Sequence, residues 1–289
     1  MTQPLRLRAE DTDARPATRC VRHHPRVTLL AIKLLLAPAF VVGASLAARR
    51  FGPRVGGLIA GLPVVAGPIL LVYALAHGRA FAAGAAAGTL LGLVSLIAFV
   101  VVYARLAGRL FWGASMLAGW LAFAVGTAIF SAFSIPAGVA LGIAGVGLLV
   151  GLASLPHPDA PAQSHPAPPV WDLPVRAGCA LVLVLTLTAV AGWLGPQLSG
   201  LLAPFPIIAT VLSTFTHAQR GTDELLRLLR GLISGFVAFA LFCFTLAISL
   251  NRLGTPAAFA LATALALLTQ AATILIARRE RTPAALPEY

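Results

Sequence analysis

Phe51-Gly-Pro-Arg-Val-Gly-Gly-Leu-Ile-Ala-Gly-Leu-Pro63 returns later in the chain as Leu194-Gly-Pro-Gln-Leu-Ser-Gly-Leu-Leu-Ala-Pro-Phe-Pro206, at an offset of 143 positions (195 minus 52). At that offset Gly52, Pro53, Gly57, Leu58, Ala60, Pro63, Ala66, Gly78, Gly88 and Gly92 meet Gly195, Pro196, Gly200, Leu201, Ala203, Pro206, Ala209, Gly221, Gly231 and Gly235. Lys33 meets Arg176 as well. Glycine and proline fix what the backbone can do, so a match that keeps them keeps a duplicated fold.

The duplicated unit belongs in a membrane. With 59% hydrophobic and 10% charged residues and a mean hydropathy of +0.91, a chain of 289 residues has too little polar surface to cover a soluble globule. Apolar runs of bilayer length lie at roughly 27–48, 54–76, 81–104, 111–131, 135–155, 175–194, 197–217, 225–250 and 255–277. The expected fold is all-α: about nine transmembrane helices in two inverted repeats, four plus one plus four. The layout is a polar basic tail at 1–26, a first repeat at 27–131, a linking helix five with a Pro-rich loop at 132–174, a second repeat at 175–278 and a tail at 279–289. The expected partner is the lipid bilayer.

Counting helices predicts the inversion. Five crossings separate equivalent positions, and an odd number turns the second copy over. Charge agrees: Arg49, Arg50 and Arg54 follow the first helix while the matching turn at 192–197 has no basic residue, and Arg79 matches a loop with Arg220, Arg227 and Arg230. This places the N-terminus outside and the C-terminus inside, with the six-Arg tail on the less basic face. Three readings stay open: a translocated tail, a start at Val21 or Val27, or a helix count off by one. The first apolar run is full length, so it reads as a retained helix and not as a cleaved signal. The net charge of +12 is carried by tails and short loops and is not the footprint of a nucleic-acid binder.

Pro63 and Pro206 fall at matching points inside apolar runs, in Gly61-Leu62-Pro63 and Pro204-Phe205-Pro206. Proline removes an intrahelical hydrogen bond, and interrupted helices at equivalent places of inverted repeats mark the central site of a transporter. The competing reading is a structural kink. Thr210, Ser213, Thr214, Thr216 and His217 follow Pro206, whereas apolar residues and Tyr73 stand at the equivalent places, so a site here is asymmetric. Candidate ligand-binding residues are therefore Pro63, Pro204, Pro206, Thr210, Ser213, Thr214 and His217, with Gln270 and Thr269 further on. Lys33 and Arg176 are candidate charge contacts, read first as snorkelling anchors, and Arg176 is spaced to pair with Asp172 at i,i+4.

All nine acidic residues fall in tails, loops or helix ends, which predicts no buried carboxylate to relay a proton or sodium ion. Cys20, Cys179 and Cys243 have no paired spacing, and the six His are scattered, so no metal site, cofactor or catalytic set is expected. The glycine rows 84, 88, 92 and 231, 235 read as helix-packing surfaces.

Gly200, Leu201, Pro204, Phe205, Pro206, Arg220 and Gly221 together resemble the GlpM-like family of small bacterial inner-membrane proteins. Those proteins look like one half of this chain. The resemblance covers mainly the second repeat; in the first, Gly61 and Leu62 replace the first proline and the phenylalanine. It implies a location in a bacterial inner (cytoplasmic) membrane, an antiparallel pair fused into one chain and a link to alginate production, and it supplies no substrate or catalytic residue. The function expected is a carrier of a small polar or anionic solute; the alternative is a non-transporting accessory protein of envelope polysaccharide (alginate-type) or lipid metabolism. Homo-oligomerisation is left open.

Overall fold

The computed structural model describes residues 25–133, 135–159, 169–186 and 205–279. Among these every regular element is a helix, with no strand. The helices are α1 (Pro25–Phe51), α2 (Pro53–Ala60), α3 (Ala66–His77), α4 (Arg79–Leu106), α5 (Trp112–Ser131), α6 (Ala137–Ser154), α7 (172–186), α8 (Ile207–Leu253) and α9 (Thr255–Arg279). Five described helices, α4, α5, α6, α8 and α9, contain apolar stretches long enough to cross a bilayer. Their outward residues are apolar too, as at Leu121, Leu149 and Leu268, a surface that needs lipid and not water. The chain is a helical membrane protein.

Single glycines separate successive helices. Gly78 has φ 88 and ψ 167, and Gly221, inside α8, has φ 79 and ψ −177. This region of backbone space is open essentially to glycine alone, and it breaks the helix without a loop. Leu212 and Leu228 border one small cleft, although a straight helix would hold them about 24 Å apart, so the arms of α8 fold back on each other at Gly221. Tyr73 and Phe81 similarly meet edge to face at 5.5 Å across Gly78.

The second arm of α8 runs antiparallel to α4. Thr222, at its start, donates a hydrogen bond of 3.2 Å to the carbonyl of Ala107 at the end of α4. At the other end, a Cβ on Gly254 would lie 3.7 Å from an Arg79 Nη. Against the same arm lies α2, with backbone on backbone. A methyl group on Gly57 would collide with the Leu228 carbonyl, one on Gly231 with that of Arg54, and one on Gly235 with that of Leu58. Close approach through small residues is the packing available where water supplies no hydrophobic drive between helices. The glycine row of 231 and 235 is thus a contact surface, as its spacing predicts, whereas Gly84 and Gly88 of the other row have nothing within 4 Å of a Cβ among the described residues and are not packing contacts there.

Candidate functional site

Both repeated prolines stand at a helix boundary, and they do so with one geometry. Pro63 stands between α2 and α3, and Pro206 caps α8. Across Pro63 the Val64 N–H donates to the Leu62 carbonyl at 2.9 Å; across Pro206 the Ile207 N–H donates to the Phe205 carbonyl at 2.8 Å. The Gly67 N–H then reaches the Pro63 carbonyl, and the Thr210 N–H the Pro206 carbonyl, each at 2.8 Å. Every atom in one set is 143 positions from its counterpart (206 minus 63). Pro206, at φ −76 and ψ 56, is the centre of an inverse γ-turn.

Breaking a helix in a membrane orphans backbone groups that must find partners. One partner is Gln270 of α9, buried at 4% exposure, whose Nε2 donates to the Leu58 carbonyl at 2.6 Å. Its Oε1 has no hydrogen-bond partner among the described residues. Thr269 bonds its own helix, to the Leu265 carbonyl, and takes no part.

The polar residues after Pro206 have distinct surroundings. Thr210 Oγ1 accepts a 3.0 Å hydrogen bond from the Trp120 indole N–H, and Phe205 lies edge to face against Trp120 and Phe123 of α5. His217 Nδ1 is 3.5 Å from the Tyr103 hydroxyl of α4. The Ser213 and Thr214 hydroxyls are buried with no hydrogen-bond partner among the described residues. Thr216 points elsewhere, to a cleft shared with α1 and α7. Pro204 and the Lys33 side chain lie outside the described residues, as does Cys20; Cys179 and Cys243 are free thiols.

The charged centre of the molecule is in that cleft, and it corrects two expectations. Asp172 is fully buried, and Glu224 is 3% exposed, so buried carboxylates do exist. Each stands at a helix end, as its sequence position indicates, and each has arginine partners there, Asp172 in Arg49 and Arg176 and Glu224 in Arg227 of its own helix. Arg176 is 5% exposed, so it does not snorkel to water. Its Nε donates to both Asp172 oxygens, at 3.0 and 2.9 Å, the i,i+4 pair that the spacing predicts. Its Nη2 donates to Gln219 Oε1 at 3.1 Å, while Gln219 Nε2 donates to Asp172 Oδ1 at 2.7 Å. Arg49 Nη2 closes the set on Asp172 Oδ2 at 2.6 Å. The Arg176 guanidinium also lies 4.9 Å over the Phe215 ring.

Helix α7 begins at residue 172, ahead of the apolar run, so Asp172 occupies a first helical turn, where a carboxylate meets the positive end of the dipole. Burial works against its charge, but hydrogen bonds from Gln219 and Arg49 and the charge of Arg176 outweigh it and hold the carboxyl below its ordinary 3.8. Arg49 and Gln219 carry no local sequence signal for this role; only their places within a turn of helix ends hinted at it. The cleft is bordered by Ser45, Arg49, Pro53, Arg176, Thr216 and Arg220 among others, and by neither Pro63 nor Pro206.

Among the described residues no three His, Cys, Asp or Glu side chains gather as a metal site would need. No family model, curated protein or solved structure matches this chain.

Proposed function

We propose that this chain is a fused pair of inverted membrane units of the GlpM-like kind, with nine crossings of a bacterial inner membrane, and that it carries a small polar or anionic solute by rocking one half against the other. The observation that carries this reading is the pair of matching turns at Pro63 and Pro206, set in halves whose equivalent helices, α4 and the second arm of α8, run antiparallel. Broken helices so placed free backbone groups for a ligand at the interface of the halves. The charge favours an anion, because Arg49, Arg176 and Arg220 share one cleft with a single bound carboxylate.

The accessory reading has one observation of its own. Backbone contact of α2 with α8 at Gly57, Gly231 and Gly235 suits a rigid scaffold better than a rocking interface. Exchange in liposomes separates the two. Purified protein is reconstituted with unlabelled phosphate, a small dicarboxylate or glycerol inside, and uptake of the same labelled compound is followed. Counterflow above protein-free liposomes for any of the three supports the carrier; none, from folded and inserted protein, leaves the accessory role.

A further inference from the structure

Three guanidinium groups converge where the end of α1, the start of α7 and the first arm of α8 meet, and among the described residues one carboxylate answers them. Arg49 and Arg176 bind Asp172, whereas Arg220 borders the same cleft and makes no hydrogen bond or ion pair among the described residues. Neighbouring carboxylates are engaged elsewhere: Glu224 accepts from Arg227 at 2.6 Å, and Asp223 accepts the Asp159 backbone N–H at 3.1 Å. Among the described residues, three positive charges against one leave two without a carboxylate partner. The Ser45 hydroxyl adds a second sign of an unfilled role. It borders the cleft at 4% residue exposure and has no hydrogen-bond partner among the described residues. A contact built only to seat α7 needs neither Arg220 nor Ser45.

We propose that this cleft is an oxyanion site, for a phosphate or carboxylate group, and that Asp172 is the tethered anion filling it when no ligand is bound. The proposal rests on the carrier reading and names its solute class. Guanidinium groups suit such ligands because their N–H donors match paired oxygens. The cleft holds about 20 Å³ of free space, enough for one water-sized group, so a phosphate enters as the Asp172 carboxylate leaves. Departure of Asp172 also frees Gln219, which turns a donor to the ligand and unties α7 from α8. Binding and the relative movement of helices are thereby one event. At the matching positions of the first half stand Leu29 for Asp172 and Ala76 for Gln219 (172 and 219 minus 143), so the site is confined to one end of the molecule.

A free solute and the headgroup of an anionic lipid share this chemistry. The test uses the full chain in phosphatidylcholine nanodiscs, titrated calorimetrically with inorganic phosphate, as wild type, Asp172→Asn and Arg220→Gln. A parallel arm uses nanodiscs containing phosphatidylglycerol without added phosphate, and reads retained lipid by native mass spectrometry. Removing the internal competitor in Asp172→Asn tightens phosphate binding about tenfold or more, and Arg220→Gln weakens it about tenfold with an unchanged melting temperature. Phosphatidylglycerol retained by wild type and lost in Arg220→Gln, without phosphate heat, assigns the oxyanion to lipid. No binding of either ligand, or both variants binding as wild type does, overturns the proposal. Should Asp172→Asn fail to fold, Arg220→Gln alone decides. Phosphate binding without counterflow removes the carrier reading and keeps the site; counterflow indifferent to Arg220→Gln does the reverse.

Discussion

Gly78 and Gly221 share one backbone conformation, φ 88 with ψ 167 and φ 79 with ψ −177, yet they stand at opposite ends of α4. Gly78 caps its start, and the neighbour of Gly221, Thr222, bonds the Ala107 carbonyl at its end. Across 28 residues that separation is about 42 Å, the full depth of a bilayer with its headgroups.

The topology prediction follows from that distance. Paired cytoplasmic and periplasmic reporters inserted at the Gly78 and Gly221 turns, within 77–80 and 217–224, report opposite faces. The same face for both loops makes the copies parallel and removes the main support for the carrier.

The glycine contact predicts a graded stability series. Gly231→Ala or Gly57→Ala forces α2 away from α8 and costs about 1–3 kcal/mol or more, because the obstacle is backbone carbonyl and not a movable side chain. Gly84→Ala, where nothing lies within 4 Å among the described residues, is neutral or slightly stabilising. Denaturant titration in detergent measures the difference.

Gln270→Leu leaves the Leu58 carbonyl without its strongest partner, since the remaining contact, from the Gly61 N–H, is long at 3.3 Å. The expected loss is about 1–3 kcal/mol by the same titration. A loss near zero would mean that the broken end of α2 finds another donor.

Pro206→Ala restores an N–H and lets α8 extend toward its N-terminus, erasing the γ-turn. Transport per folded molecule falls further than for Pro38→Ala, a change inside α1 with no counterpart turn. Equal, mild effects would reduce Pro206 to a packing residue.

Acid has a defined effect on the charged cleft. The folded pKa of Asp172 is depressed, so its stabilising contribution is complete above the ordinary 3.8 and is lost as pH falls through the folded value. The exposed Trp171 beside it reports release of α7 by a fluorescence change below pH 3.8. Asp172→Asn abolishes that transition; its persistence would assign it to another carboxylate.

Much of the fold was legible because it depends on short-range rules. The apolar runs at 81–104, 111–131 and 135–155 match α4, α5 and α6 to within a few residues, since bilayer thickness sets the length of such helices. The prolines announced their breaks, and Gly78 and Gly221 their turns, because these residues limit backbone geometry wherever they stand. The candidate site was legible only in part. Thr210, Ser213, Thr214 and His217 were singled out from one helix, but their neighbours Trp120 and Tyr103 come from α5 and α4.

By itself, then, the sequence determined the membrane as solvent, the repeated glycine and proline pattern and the places where helices stop at them, all consequences of composition and of glycine and proline stereochemistry. Tertiary structure alone decided that Arg49 and Gln219 join the pair of Asp172 and Arg176 that the i,i+4 spacing announced, and that Asp172 is buried and charged. Residues 123 positions apart, as Arg49 and Asp172 are, share no local signal. Their charge is tolerated only because packing of α1, α7 and α8 brings every partner within hydrogen-bond reach, and burial without those partners would cost more than the fold can supply.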